Sequence, residues 1–314
     1  MRGVPFTGGW RNVIGPVSPN ERGRAEGDSK LQWSNSGAVT RRGYSAVDFV
    51  LSIEGEDNVP GRAIIPAEPH RGVVLIAHQT TEPETIGSAE AFGIKGDEQL
   101  AYGEELASEG FVVIGVDYPG FGSYQVDPYK LGYESVLAKA IWNHVCLANC
   151  VKKEWPAISS KVGIIGHSLG GTNAVMLSAY SSEPVAVVCS AGLGSFAEFA
   201  EYHGGSLERW SRSDKYMPKI ADIYENNPAN LDFDFGDLAE RIYPAGIFFS
   251  APIDDDIFPI NSARKAVGQF IDYYLKNKSP DNVVVHFPDV SHRFPEIERK
   301  KSYAFLKRHI LNAQ

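Results

Sequence analysis

The sequence predicts an α/β fold in which a mostly parallel central sheet is flanked by helices and interrupted once by a helical insertion. Three observations carry this. Short continuous apolar runs, such as Val73-Val74-Leu75-Ile76-Ala77 and those at 111–116 and 161–165, read as strands buried on both faces. Helical stretches separate them, at about 96–109, 133–154 and 169–179. The alternation stops between about 192 and 243 and then resumes.

Taken in order, residues 1–43 are rich in Gly, Pro, Ser and Arg, lack lasting periodicity, and read as an N-terminal arm and loop. Seven basic residues (Arg2, Arg11, Arg22, Arg24, Lys30, Arg41, Arg42) stand there against Glu21, Glu26 and Asp28, a pattern expected of a solvated, partly mobile segment rather than a binding patch. Strands are expected at 44–53, 62–65, 73–77, 111–116, 161–165 and 185–188. Beyond the insertion come a strand at 245–250, a helix at 261–276, a strand at 283–286 and a helix at 295–311. The domain plan is therefore a core of 44–191 and 244–314 with an insertion at 192–243, too long for a plain loop and expected to be a helical cap beside the site. Its aromatics, Phe196, Phe199, Tyr202, Trp210, Tyr216, Tyr224, Phe233 and Phe235, fit either a small core of the cap or the wall of a pocket.

Composition excludes several classes. A 314-residue chain that is 43% hydrophobic and 22% charged has ample material for a large core. Its net charge of −9 argues against general nucleic-acid binding, which needs clustered Lys and Arg. Three cysteines make no disulfide framework, and Cys146 and Cys150 lack a histidine pair at zinc spacing, so buried thiols are expected and no metal. No apolar run is long enough to span a membrane, and MRGVPFTGGW has no signal-type apolar core, so a cytoplasmic location is expected.

The chemistry centres on Gly166-His167-Ser168-Leu169-Gly170. The pentapeptide follows an apolar strand and precedes a helix, the strand–turn–helix setting that a G-x-S-x-G nucleophile turn requires. Ser168 is the expected nucleophile. Gly166 and Gly170 leave room where side chains would strike the adjoining strand or helix, and the helix N-terminus offers the Leu169 N–H to a developing oxyanion. His167 is expected to point away and act as support.

Such sites run serine, acid, histidine along the chain. Of the histidines after Ser168, His203 lies in the insertion, His286 in the last strand and His309 in the last helix. His292, in the loop after the last strand, is the expected base. The acid should follow the preceding strand, where Asp254, Asp255 and Asp256 stand in a row; mutual repulsion favours one buried and two solvated. A second oxyanion donor is expected from the loop His78-Gln79-Thr80 after an early strand, through the N–H of Thr80 or Gln79.

Together with Asp117-Tyr118-Pro119-Gly120-Phe121-Gly122, Lys139-Ala140-Ile141-Trp142 and Tyr216-Met217-Pro218, these segments resemble the dienelactone-hydrolase-like and acetyl-esterase-like branch of the α/β-hydrolase superfamily, over about residues 70–310. The resemblance implies the α/β-hydrolase fold. It favours Asp255 as the acid, because Asp255 to Pro259 is similar to the D-x-x-hydrophobic-P loop of those hydrolases; Asp256 and then Asp254 come next. It also puts Thr80 where single-donor H-G-X loops carry their donor, with Gln79 in place of the usual glycine. Dienelactone hydrolases carry a cysteine nucleophile, so Ser168 points to the esterase members. The expected activity is hydrolysis of small, short-chain carboxylic esters through an acyl-enzyme, without metal or organic cofactor. The alternatives are amide, thioester or carbon–carbon cleavage or acyl transfer on the same triad, and a non-catalytic hydrolase-like binding protein. The expected partner is a small-molecule ester, with no nucleic acid or membrane; a homodimer is permitted.

Overall fold

A computed structural model of the chain describes residues 9–67, 70–181 and 183–313. One sheet contains β1 (Ser29–Val39), β2 (Ser45–Ile53), β3 (Asn58–Ile64), β4 (Val73–Ala77), β5 (Val112–Val116), β6 (Val162–His167), β7 (Ala186–Ser190), β8 (Gly246–Ser250) and β9 (Val283–His286). Their spatial order is β1-β2-β3-β5-β4-β6-β7-β8-β9. The pairs from β1 to β5 are antiparallel, and every pair from β5 to β9 is parallel. The α-helices are α1 (Gly9–Ile14), α2 (Tyr102–Ser108), α3 (Val136–Glu154), α4 (Leu169–Tyr180), α5 (Phe196–Tyr202), α6 (Lys219–Tyr224), α7 (Ala239–Ile242), α8 (Ile260–Lys276) and α9 (Glu296–Asn312).

The apolar strands divide residue by residue between two cores, because successive strand side chains face opposite ways. In β4, Val73, Leu75 and Ala77 join one cluster, whereas Val74 and Ile76 join the other. Helices α1, α3, α4, α7 and α8 cover the first; α2 and α9 cover the second. This is the expected α/β-hydrolase arrangement.

Residues 1–43 differ from the expected arm and loop. Helix α1 buries Trp10, Val13 and Ile14, and β1 pairs with β2 from Ser29 opposite Ile53 to Val39 opposite Ser45. The alternation of β1 is hard to read because its register shifts between Trp33 and Gly37 and an edge strand needs little apolar surface. The basic residues are largely paired. Arg22 bonds Glu56 and lies 3.9 Å over the Tyr133 ring, Arg11 meets Glu21 at 2.7 Å, and Arg42 meets Glu105 at 2.8 Å. Arg2 lies outside the described residues.

Smaller differences have local causes. Strand β3 starts four residues before the expected 62 because Pro60 and Gly61 obscure its pattern. The stretch 96–109 is a short turn at Glu98–Leu100 followed by α2, with the Asp97 side chain capping the turn at Gln99 N. Helix α3 starts at Val136 because Ser135 caps it, accepting from Ala138 N at 3.0 Å; the same hydroxyl donates to Ile14 O at 2.6 Å, tying α1 to α3. Between 192 and 243 the described residues form α5, α6, α7 and short turns, with no strand. No helix among the described residues is long and apolar enough to cross a membrane.

A buried ionic cluster joins the N-terminal region to the core. Lys139 of α3 is fully buried and donates to Glu56 and Asp57, both at 2.7 Å. Burial pushes the Glu56 carboxyl up, but Lys139, Tyr133 and Arg22 outweigh it and hold the group below its usual range. Replacing Lys139 by Ala removes the cation shared by two carboxylates, leaving Glu56 with Arg22 and Tyr133 and Asp57 with Tyr124, and is expected to cost about 3 kcal/mol, read from the urea midpoint. Because Glu56 is held low when folded, its contribution is present above the unfolded carboxylate range and lost as pH falls through the folded value. The wild-type urea midpoint is therefore expected to hold above the ordinary carboxylate range and to drop as pH falls below it.

Candidate active site

Strand β6 delivers the chain into a tight turn at Ser168, which adopts φ 54° and ψ −123°, outside the regions that side chains favour. Two backbone bonds hold it there: Ser168 N donates to Ser190 O at 2.8 Å, and Thr172 N donates to Ser168 O at 3.1 Å. The flanking glycines are required by contact. A Cβ on Gly166 would run into the Gly170 backbone, and one on Gly170 would run into Ala77 O of β4. The sheet end, the turn and α4 thus meet backbone to backbone.

The loops after β8 and β9 bring Asp255 and His292 together. Ala251 N donates to His286 O at 2.9 Å, Ile253 N to Pro288 O at 2.9 Å, and Asp254 N to Val290 O at 3.1 Å, so the two loops are stitched along their backbones. Of the three aspartates, Asp255 alone is buried; Asp254 and Asp256 are exposed. Asp255 Oδ1 accepts from Ile257 N at 2.8 Å and Phe258 N at 2.9 Å, and its Oδ2 accepts from His292 Nδ1 at 2.8 Å. An ionised carboxylate fits this set, since every partner donates. With Nδ1–H committed, Nε2 is the free basic nitrogen of His292. The ring stacks on Phe258, with centroids 5.9 Å apart.

The other downstream histidines are occupied elsewhere. His203 Nε2 lies 3.1 Å from Ile257 O, His286 Nδ1 lies 2.8 Å from Glu298 Oε2, and burial pushes His309 down to about 4. His167 is fully buried, with its ring 4.9 Å from that of His292 and Nδ1 3.1 Å from Ser190 Oγ. Burial, then the nearby His292, hold it well below the usual histidine range, so it is a neutral support rather than a second base. It does not turn wholly away, however, because it lines the same cavity.

That cavity, about 520 Å³, is bounded by Ser168, His292, Gln79 and Thr80 together with residues of the 192–243 segment. Ser168 and His292 both line it, and no hydrogen bond joins their side chains. No hydrogen bond within the described residues takes up the backbone N–H of Leu169, Gln79 or Thr80. His78 fixes the start of the Gln79–Thr80 loop. Its Nδ1 lies 2.8 Å from Gln79 O, its Nε2 accepts from Tyr118 N at 3.1 Å, and its ring stacks on Tyr118. Burial pushes His78 down to about 4, so it stays neutral as these bonds require.

The aromatics of the 192–243 segment serve in two ways. Phe196 packs on Trp210, Phe233 and Phe235 with centroids 5.0–5.6 Å apart, forming a small core. Phe199, Trp210 and Tyr216 line the cavity, so Trp210 belongs to both. Three cations line it as well, at a regular interval in the chain that charge patterning would have revealed: Arg209, Arg212 and Lys215.

No family model matches the sequence, and no curated protein matches it. Solved structures do. A carbohydrate esterase family 15 glucuronoyl esterase from Caldicellulosiruptor kristjansonii is 15% identical, with a TM-score of 0.66 over 91% of this chain and 80% of that one. The glucuronoyl esterase from Sporotrichum thermophile is 11% identical, with a TM-score of 0.68 over 97% and 81%. An esterase from Pyrococcus furiosus is 16% identical, with a TM-score of 0.54 over 95% and 98%. Likeness at this level of identity speaks to architecture, and with the sheet order above it establishes that the chain has the α/β-hydrolase fold.

Proposed function

We propose that the protein is a serine esterase in which Ser168, His292 and Asp255 form the triad. The observation that carries this reading is the 2.8 Å bond from His292 Nδ1 to a buried Asp255, at the rim of the cavity that Ser168 enters from a strained turn. Asp255 orients His292 and stabilises its protonated form. His292 Nε2 takes the Ser168 proton as Oγ attacks the ester carbonyl. The oxyanion then rests on the N–H of Leu169 and that of Thr80 or Gln79, donors typically worth about 3 kcal/mol each. His292 gives its proton to the leaving alcohol, then draws one from water to release the acid.

The 192–243 segment acts as a cap over this cavity and supplies the substrate-facing rings. A cytoplasmic setting is part of the proposal, consistent with three buried free thiols, Cys146, Cys150 and Cys189.

The cavity wall favours a second, narrower reading, that of a sugar-derived ester. Four of the similar structures are glucuronoyl esterases, one of them from Sporotrichum thermophile in complex with methyl 4-O-methyl-β-D-glucopyranuronate. Flat rings of Phe199, Trp210, Tyr216 and Phe258 beside Arg209, Arg212 and Glu82 offer stacking with donors and acceptors, as a hydroxyl-rich substrate needs.

A panel of nitrophenyl esters, thioesters and anilides, with a methyl glucuronate ester added, tests these readings. Esters should turn over fastest, and Ser168→Ala should lose about 10³-fold or more. Preference for anilides contradicts the esterase reading, and equal activity of the two proteins contradicts the site. Asp255→Asn should lower kcat by about 10²- to 10⁴-fold, whereas Asp254→Asn and Asp256→Asn stay within about twofold. An unchanged kcat in Asp255→Asn refutes the choice of acid.

A further inference from the structure

Gln79 is a full-length polar side chain buried at the end of the apolar strand β4, 2% exposed, where glycine would be the simpler residue. An amide in such a place is costly unless both its ends are bonded. Both are. Gln79 Nε2 donates to Glu90 Oε2, and Gln79 Oε1 lies 2.9 Å from Tyr102 Oη. Glu90 is itself buried, at 6% exposed, and its other oxygen accepts from Asp97 N at 2.8 Å. Tyr102 is fully buried on α2, with its Oη also 2.9 Å from Ala77 O, the last residue of β4.

The chemistry of the two partners fixes the amide one way round. An ionised carboxylate only accepts, so it takes the NH₂ end. Burial, then the charge of Glu90, push the Tyr102 phenol up, so it stays protonated and its single hydroxyl proton is shared between the Gln79 carbonyl and Ala77 O. Gln79 is thus gripped between the 84–97 loop and α2, one residue before Thr80 and beside the cavity.

We infer that Glu90 and Tyr102 are positioning residues that hold the Gln79–Thr80 backbone in place for the oxyanion, by clamping the Gln79 side chain from both ends. This rests on the esterase reading above. The clamp explains how a glutamine serves where related loops carry glycine: its side chain is used as an anchor. Neither change removes an atom of the nucleophile, base or acid, and Glu90→Gln acts at the end of the clamp away from Ala77 O and the His167 backbone, which the Tyr102 hydroxyl also meets.

The test uses Glu90→Gln, Tyr102→Phe and the double variant, with kcat, KM and thermal melting measured on the best ester. Each single change should lower kcat by about 10- to 100-fold while KM stays within about threefold, the pattern of an interaction made in the transition state. The double variant should lose no more than about threefold beyond the worse single one, because both act through Gln79. If Glu90→Gln does not fold, Tyr102→Phe decides, since it removes one hydroxyl and keeps the ring. A folded Tyr102→Phe with kcat within about twofold of wild type overturns the inference while leaving the esterase reading intact. Additive losses overturn the shared route through Gln79. Wild-type protein inactive on every ester overturns the esterase reading and the clamp with it.

Discussion

The close approach of backbone to backbone around Ser168 is the constraint on which the site depends. Gly166 abuts Gly170, and Gly170 abuts Ala77 O of the central strand, leaving no space for a Cβ at either position. That packing forces the chain through a turn with Ser168 at φ 54°, a conformation costing about 1–3 kcal/mol that survives because β6, β7 and α4 over-determine it. The same contact sets the N-terminus of α4 next to the end of β4, so Ser168 and the Gln79–Thr80 loop come to border one cavity.

Around this rigid centre the remaining parts are held by hydrogen bonds rather than by bulk packing. The β8 and β9 loops are stitched by three backbone bonds, which bring Asp255 and His292 to 2.8 Å. Asp255 is locked in turn by two backbone N–H groups, so neither member of the pair is free to rotate. The cavity mouth is different in kind. It is built from the short helices and turns of the 192–243 segment, tied to the core by contacts such as Tyr129 Oη to Ser213 O at 2.6 Å and Lys215 to Glu84 at 3.4 Å. The floor of the cavity is thus set by backbone contacts, whereas its aromatic and cationic roof is packed into the main core through side chains such as Phe196, Trp210 and Phe235.

The parallel half of the sheet was legible because strands buried on both faces must be mainly apolar, and β4 to β8 obey that rule apart from the terminal His167, Ser190 and Ser250. Strand β1 was not, since it lies at an edge and carries Ser34-Asn35-Ser36-Gly37 through its irregular register. The N-terminal charges misled for a related reason: their partners, Glu56 and Glu105, are far away in sequence, and only the fold joins them. The serine turn was readable from five residues and their setting. Among the aspartates, the sequence offered three neighbours and a family likeness, whereas burial distinguishes Asp255 from the other two. Glu90 and Tyr102 escaped notice because neither belongs to a motif; the signal was Gln79 itself, a polar residue where an apolar strand ends.

All of these relations converge on Ser168, the proposed nucleophile. The most direct measurement is therefore labelling of the folded protein with a fluorophosphonate, followed by mass spectrometry of the peptides. The account predicts one adduct per chain, on Ser168, and none in Asp255→Asn over the same exposure. An unlabelled wild-type protein, or an adduct on another residue, would contradict it.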